Sequence, residues 1–312
     1  MINTLTLNPA LDKIIFVDKF EKNSTVRIKE ITYSIGGKGT HVSINLAQMG
    51  ERSRAFGIVF GDIGKQILSL LRESNIDTHF VQRQITGLES RTNYLLNEKN
   101  GDSTLITEKG VMLRLEDVDE VCQTMKENIQ KGDYIALSGD ASNYSDPYVY
   151  NYIINKLKTY DLKVFLDTSG DTLKECIKLG PELIKPNLSE LSFLCGRRLE
   201  NHVDDVIDAI QELNEYEIPN IAVSMGGEGC VIKHGDEYYR AIPPKIEIKN
   251  TVGCGDCFLS GLLYGFKNNL EIKNTILYAT AVSAACALDE TSVGFDMNAA
   301  KSIMKDVKIL KI

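Results

Sequence analysis

Short apolar runs alternate with amphipathic stretches along most of the chain. The short runs predict strands at Asn3–Leu7, Ala55–Phe60, Tyr134–Ser138, Val164–Asp167, Leu183–Lys185 and Ile221–Ser224. The amphipathic stretches predict helices at Thr40–Met49, Ile63–Ser74, Leu115–Gln130, Asp146–Tyr160, Leu188–Leu194 and Val203–Tyr216. Strands that alternate with helices of this length indicate βαβ units, and therefore a mostly parallel sheet with helices on both faces.

Two segments interrupt this alternation. Residues 13–35 contain the apolar run Ile14–Val17 and then an alternating pattern at Val26–Ile31. Residues 91–107 are typical of a hairpin, with strands at Thr92–Leu96 and Ser103–Thr107 around an Asn-Gly turn. These strands predict a small β-sheet that leaves the main sheet as a lid or an interface; the alternative is an antiparallel extension of the main sheet.

The rest of the chain offers no Pro/Ser-rich linker, repeat or low-complexity segment. We therefore expect one domain over residues 1–312, with lid strands from about residues 13–35 and 91–107.

The composition excludes some classes of function. With 35 basic and 43 acidic residues, the net charge is −8, and the chain lacks the basic footprint of a nucleic-acid-binding protein. Its seven cysteines are odd in number and scattered, which does not indicate a disulfide framework. The N-terminus shows no signal-peptide pattern, and no apolar stretch is long enough to span a membrane, so we expect a cytoplasmic protein without a membrane partner.

The segment Thr251–Asp256 carries the most informative chemistry. Gly253, Cys254 and Gly255 precede Asp256, and an apolar helical pattern follows. Small residues at a helix N-terminus let backbone N–H groups converge on an anion, such as a phosphoryl group in transfer. A carboxylate in the first turn could accept a proton from an attacking hydroxyl. The alternative is that Asp256 caps the helix, and these residues alone do not decide between the two.

Cys254 and Cys257 also match C-x-x-C, which can indicate a redox pair or half of a metal site. A zinc site needs a second pair of ligands, and none occurs at a suitable spacing. Small residues beside a phosphate are therefore the favoured interpretation.

Five motifs together resemble one family. Val252–Asp256 resembles the signature of the ribokinase/PfkB sugar kinases, in which the second glycine precedes the catalytic aspartate. The others, in the family's order, are the opening Thr4–Asp12, the glycine signature Gly36–Gly39, the N-x-x-E element Lys185–Leu191 and the nucleotide loop Ser224–Gly229. The opening resembles the phosphofructokinase and tagatose-6-phosphate kinase branch. The resemblance implies a ribokinase-like α/β fold, with a central mostly parallel sheet flanked by helices and a small β-sheet lid.

The resemblance also implies transfer of the ATP γ-phosphoryl group to a sugar hydroxyl. Asp256 would be the catalytic base, with the backbone amides of Gly253, Cys254 and Gly255 stabilising the transferring group. The implied substrate-binding residues are Asp12, Gly36, Gly37, Lys38, His41, Arg91, Asn93 and Ser138. The implied nucleotide-binding residues are Lys185, Asn187, Ser224, Gly226, Gly229 and Thr251, together with Gly253 and Gly255. Asn187 and Glu190 would hold Mg²⁺, mainly through water.

Some of these residues have simpler interpretations. Asp12 could be a turn residue after Asn8-Pro9, and Asn187 with Glu190 could cap a helix. The segments 229–233 and 237–242 could form a plain hairpin around Gly235-Asp236. Family analogy further implies a homodimer formed through the lid.

The chain departs from the family pattern on the sugar side. His41 stands where this branch normally has asparagine, and Asp140 stands where a hydroxyl residue would follow Ser138-Gly139. A carboxylate pointing at a sugar phosphate would repel it. Cys254 replaces a more usual Ala or Ser, which is close in size.

The first choice of acceptor is a ketohexose phosphate, either fructose 1-phosphate or tagatose 6-phosphate, because of the opening motif together with Lys38 and Arg91. A non-phosphorylated sugar or nucleoside is the alternative that His41 and Asp140 favour. A non-catalytic nucleotide- or sugar-binding regulator is a third hypothesis, against which Asp256, Asn187 and Glu190 argue.

Overall fold

A computed structural model describes residues 1–139, 141, 143–146, 148–289, 291 and 293–312. The strands are β1 (Ile2–Thr6), β2 (Ala10–Val17), β3 (Glu30–Gly36), β4 (Ser53–Phe60), β5 (Asp77–Arg83), β6 (Arg91–Glu98), β7 (Ser103–Thr107), β8 (Tyr134–Ser138), β9 (Lys163–Asp167), β10 (Leu183–Ile184), β11 (Asn220–Ser224), β12 (Cys230–His234), β13 (Glu237–Ile242) and β14 (Lys308–Lys311). The helices are α1 (Lys38–Gln48), α2 (Gly61–Glu73), α3 (Leu115–Asn128), α4 (Val149–Leu157), α5 (Gly170–Cys176), α6 (Leu188–Cys195), α7 (Val203–Glu212), α8 (Cys254–Lys267), α9 (Ile272–Cys286) and α10 (Met297–Ile303).

The strands form two separate sheets. The main sheet has the order β14-β13-β12-β11-β10-β9-β8-β1-β4-β5, and it is parallel from β11 to β5. Its other end, β12 to β14, is antiparallel. The second sheet has the order β3-β2-β6-β7 and is called the small sheet below. The prediction of a mostly parallel sheet with a distinct small sheet is confirmed, and the antiparallel extension is excluded.

Helices cover both faces of the main sheet because side chains alternate between the faces along each strand. On β8, Ile135 and Leu137 pack in one apolar cluster with α3 to α7, whereas Ala136 packs in a second cluster with α1, α8, α9 and α10. A third cluster joins Leu11 and Ile35 of the small sheet to Val59 of β4 and to α2. This third cluster anchors the small sheet beside the carboxyl end of the main sheet.

The predicted elements all have counterparts, but several elements were missed: β5, β14, α5, α9 and α10. Strands β5 and β14 lie at the two edges of the main sheet, where exposed polar side chains obscure the apolar pattern. The prediction of a strand over Val26–Ile31 is wrong for its first part, since β3 begins at Glu30. In the described part of the chain, no helix is both long and apolar enough to cross a membrane.

Candidate active site

Polar atoms without partners gather where the parallel strands end. In the described residues, nine buried side-chain atoms make no hydrogen bond, and four of them lie at the ends of β1, β8 and β9: Thr6 Oγ1, Ser138 Oγ, Asp167 Oδ2 and Thr168 Oγ1. A fifth, Asn93 Oδ1, lies on β6 of the small sheet. Buried polar groups nearly always have a partner, from protein, water or ligand. In open α/β sheets, ligands bind outside the carboxyl ends of the strands. This edge is therefore the candidate site.

The turn before α8 places Asp256 at this edge. Gly253 is the N-cap residue, with φ of 86°, a left-handed conformation that favours glycine. The helix begins at Cys254, so the N–H groups of its first turn point out of the helix N-terminus. Thr251 precedes the turn, and its carbonyl accepts a hydrogen bond from Cys254 N. Asp256 is buried in the first turn and is not the cap residue.

His41 of α1 contacts Asp256 directly. His41 Nδ1 lies 2.8 Å from Asp256 Oδ2, and His41 Nε2 lies 2.8 Å from the carbonyl oxygen of Ile35. Burial disfavours the charged imidazolium, but the hydrogen bond and negative charge of Asp256, with Asp12 nearby, outweigh it and raise the pKa of His41. Both ring nitrogens of His41 are thus engaged by the protein.

Asp12 lies within β2 of the small sheet, so it is not a turn residue after Asn8-Pro9. Its neighbour Asn93 on β6 donates a hydrogen bond from Nδ2 to Asp12 Oδ1 at 2.8 Å. Burial raises the pKa of Asp12, and His41, Asn93 and Arg91 offset that only in part. A Cβ at Gly36 would lie 2.1 Å from Asp12 Oδ1, so this site needs glycine for steric reasons.

Two lysines approach one buried carboxylate at the end of β9. Lys185 Nζ lies 3.1 Å from Asp167 Oδ1, and Lys38 Nζ lies 3.8 Å from the same oxygen. A Cβ at Gly255 would lie 3.4 Å from Lys185 Nζ, so this ammonium group sits beside the start of α8. Sequence reasoning missed Asp167. The available signal was a carboxylate that ends a buried strand at the ligand-binding edge.

The remaining sugar-side residues lie at the same edge. Gly37 is the N-cap of α1 with φ of 108°, and Lys38 is the first residue of that helix. Arg91 begins β6, and its Nε donates to the carbonyl oxygen of Asn8 at 3.0 Å. Ser138 ends β8. Asp140 lies outside the described residues.

The predicted nucleotide loop lies at the end of β11. Ser224 forms a parallel bridge with Asn187, which brings these two motifs together. Gly226 has φ of 60°, and within the described chain a Cβ there would meet no atom within 4 Å, so it faces open space. Gly229 has a structural role, because a Cβ there would lie 2.0 Å from the carbonyl oxygen of Ala241. Strands β12 and β13 do pair as a hairpin.

Asn187 and Glu190 form a reciprocal cap at the start of α6. Asn187 Oδ1 accepts from Glu190 N at 2.9 Å, and Glu190 Oε2 accepts from Asn187 N at 2.8 Å. Each side chain keeps further acceptor lone pairs, which suits contact with a hydrated cation. Among the described residues, no group of three or more His, Cys, Asp or Glu side chains is arranged so that it could hold a metal ion. The fit is to a hydrated Mg²⁺ on substrate phosphates, and not to an ion in a protein cage.

The C-x-x-C pair is not arranged for redox chemistry. Cys254 and Cys257 are both free, and Cys257 is fully buried in the apolar cluster around α8 and α9. A hydrogen bond with Cys286 and burial raise the pKa of the Cys254 thiol well above its ordinary value. A reactive thiol needs a lowered pKa, so Cys254 is not activated as a nucleophile. Both cysteines act as small packing residues.

Comparisons with known proteins agree with this geometry. A family model described as pfkB family carbohydrate kinase matches residues 6–298. The 1-phosphofructokinase of Vibrio cholerae is 32% identical over 291 residues, covering 93% of this chain and 90% of that protein. The 1-phosphofructokinase of Bacillus subtilis is 31% identical over 290 residues, covering 93% of each.

The fold has close counterparts among solved structures. Phosphofructokinase-2 from Escherichia coli, in complex with potassium, superposes with a TM-score of 0.91 at 24% identity, covering 98% of each chain. The family match spans nearly all the motifs and both sheets, from β2 to α10. The chain therefore belongs to the pfkB family of carbohydrate kinases.

Proposed function

We propose that this protein is an ATP-dependent 1-phosphofructokinase, which phosphorylates fructose 1-phosphate to the bisphosphate. Fructose 1-phosphate is supported as the acceptor by two relatives that are named for this activity. Each is more than 30% identical to this chain over most of its length. The observation that carries the reaction type is the buried carboxylate of Asp256 in the first turn of α8, behind a glycine-rich turn. Tagatose 6-phosphate is the second candidate acceptor.

In the proposed reaction, Asp256 accepts the proton of the acceptor hydroxyl as the sugar oxygen attacks the γ-phosphorus of ATP. The bond from that phosphorus to the β–γ bridging oxygen breaks, and ADP leaves. Negative charge on the transferring group would meet the N–H groups of Gly253–Asp256 and the helix dipole. The ammonium group of Lys185, beside Gly255, adds positive charge at the same place.

The sugar would lie between the small sheet and α1. Asp12 and Asn93 offer a carboxylate and an amide for hydroxyl groups, and Gly36 and Gly37 give the backbone close access. Lys38 and Arg91 supply positive charge for the substrate's own phosphate. His41 and Asp140 were the arguments for a non-phosphorylated acceptor. Both nitrogens of His41 are engaged by Asp256 and Ile35, which weakens the argument from His41.

ATP would lie along Lys185, Asn187, Ser224, Gly226 and Thr251, where β10 and β11 end. Asn187 and Glu190 would hold Mg²⁺ through its water ligands, as their remaining acceptor lone pairs allow. Bound Mg²⁺ neutralises phosphate charge in such kinases.

We also propose a homodimer through the small sheet. Strand pairing puts Ile31, Tyr33 and Ile106 on one face of that sheet, and their exposed fractions are 40%, 54% and 50%. Clustered exposed apolar side chains of this kind mark association surfaces. Sedimentation velocity compares the oligomeric state of the wild type with that of Tyr33→Asp, which should be monomeric. A wild type that is monomeric at all concentrations contradicts the proposed dimer.

The kinase proposal is tested by ADP release with a panel of fructose 1-phosphate, tagatose 6-phosphate, fructose 6-phosphate, free hexoses and nucleosides. We expect the highest kcat/KM with fructose 1-phosphate. Asp256→Asn should lower kcat by about a thousandfold or more, with little change in ATP affinity. Measurable ATP binding without turnover of any acceptor would instead indicate a regulator.

A further inference from the structure

His41 ties the small sheet to the candidate catalytic helix. Its ring lies between the carbonyl oxygen of Ile35 on β3 and the carboxylate of Asp256 on α8, at 2.8 Å from each. The side chain is buried, as is that of Asp256. The two partners are far apart in sequence, and the ring of His41 on α1 contacts both.

The two contacts decide where protons must lie. A carbonyl oxygen only accepts hydrogen bonds, so Nε2 must carry a proton. A separation of 2.8 Å between Nδ1 and a carboxylate oxygen then needs a second proton, because two lone pairs would otherwise repel each other. The pair therefore holds one shared proton, which lies either on the ring or on the carboxylate.

The surrounding charges place this proton on the ring. The titratable groups that act on His41 are Asp256 from α8 and Asp12 from β2, and both are acidic. Arg91 from β6 acts on Asp12. Two carboxylates around one buried imidazole favour the imidazolium form.

We propose that His41 is a positioning residue for Asp256: an imidazolium that holds the Oδ2 atom of the base and so leaves Oδ1 facing the acceptor hydroxyl. This inference rests on the proposed kinase reaction and deepens it. Without the Nδ1 donor, the carboxylate can rotate about its side-chain bonds and lose its alignment with the hydroxyl. Alignment of a general base is a large part of its effect. Because the donor is titratable, the alignment also depends on pH.

The first test compares pH profiles of kcat for the wild type, His41→Asn and His41→Leu with fructose 1-phosphate and ATP. Loss of the donor in His41→Leu should lower kcat by about 10- to 100-fold, with an unchanged KM for ATP. His41→Asn restores a donor that does not titrate. We therefore expect it to recover most of the kcat and to lack the alkaline decline that the proposal predicts for the wild type. His202→Asn, the same change at an exposed helix cap, is the matched control and should match the wild type.

The second test reads the proton directly and needs no turnover. The chain has four histidines, so ring ¹⁵N spectra can be assigned with single His→Asn variants. We expect His41 to be doubly protonated near neutral pH in the wild type, and Asp256→Asn to shift its titration to lower pH.

The outcomes separate the two proposals. A His41 ring that is neutral near pH 7, or one whose titration Asp256→Asn leaves unchanged, overturns the positioning role whether or not the enzyme turns over. A His41→Leu variant that keeps the wild-type kcat and pH profile also overturns the positioning role. If His41→Leu does not fold, His41→Gln takes its place. Protonated His41 in a protein that phosphorylates none of the panel refutes the kinase proposal instead.

Discussion

Replacing Lys185 by methionine tests how the candidate site holds its charges. The substitution keeps most of the apolar stem of the side chain but removes the ammonium group that lies 3.1 Å from Asp167 Oδ1. The side chains of Lys185 and Asp167 are only 5% and 2% exposed. Asp167 Oδ2 already has no hydrogen-bond partner among the described residues. In the variant, the Asp167 carboxylate would stay buried without the positive charge that offsets its desolvation.

Breaking a buried ion pair by removing one partner costs about 3–5 kcal/mol of stability. Lys38 approaches the same oxygen at 3.8 Å and retains part of the attraction. We therefore expect Lys185→Met to lower the free energy of unfolding by about 3 kcal/mol, at the low end of that range. Lys38→Met is the matched control; since its side chain is 45% exposed, solvent screens the pair and we expect a loss of about 1 kcal/mol or less.

Urea unfolding followed by far-UV circular dichroism measures both variants, because the chain has no tryptophan for fluorescence. The double variant Lys185→Met/Asp167→Asn should recover about 1–3 kcal/mol of the loss, since the buried charge is gone. Equal stability of Lys185→Met and Lys38→Met would refute the reasoning, and so would a double variant no more stable than Lys185→Met.

Three further substitutions probe the site. Gly36→Ala should displace Asp12 from its hydrogen bond with Asn93. In steady-state kinetics, we expect KM for the sugar to rise by about tenfold or more, with a normal KM for ATP. An unchanged KM for the sugar would show that Asp12 does not bind it. Burial raises the pKa of Asp12, so the folded state binds its proton more tightly than the unfolded state, and the stability of the fold falls as pH rises from the unfolded to the folded pKa. Asp12→Asn should therefore resist urea better than the wild type near neutral pH, with no advantage in acid. A loss of stability at neutral pH would contradict the burial argument. Cys254→Ala should change kcat by less than about threefold, since the thiol packs as a small hydrophobe; a large loss that serine rescues would give the thiol a chemical role.

Local patterns were enough to predict the fold class. The strands Tyr134–Ser138 and Ile221–Ser224 occur in the structure with bounds close to those predicted, because a buried parallel strand is apolar throughout its length. The Asn100-Gly101 turn likewise predicted the hairpin of β6 and β7. The exposed edge strands β5 and β14 escaped prediction because partial burial leaves no such run.

The motifs identified most of the candidate site, since each is a short segment whose residues must share one loop. The small residues from Gly253 to Gly255, followed by Asp256 and an apolar pattern, were enough to predict the N-terminus of a helix. Asp167 was missed because its only signal in the sequence is its place at the end of a predicted strand. Its significance comes from Lys185, which follows β10, and Lys38, which begins α1.

By itself, the sequence determined the alternation of elements, the glycine turns and the family, because these depend on neighbours along the chain. Only the tertiary structure decided what His41 contacts. By sequence it was a departure from the family pattern on the sugar side, whereas in the folded chain it contacts Asp256 across a separation of 215 residues. Periodicity reports which face of an element is buried, but not which side chain from another element will meet it there.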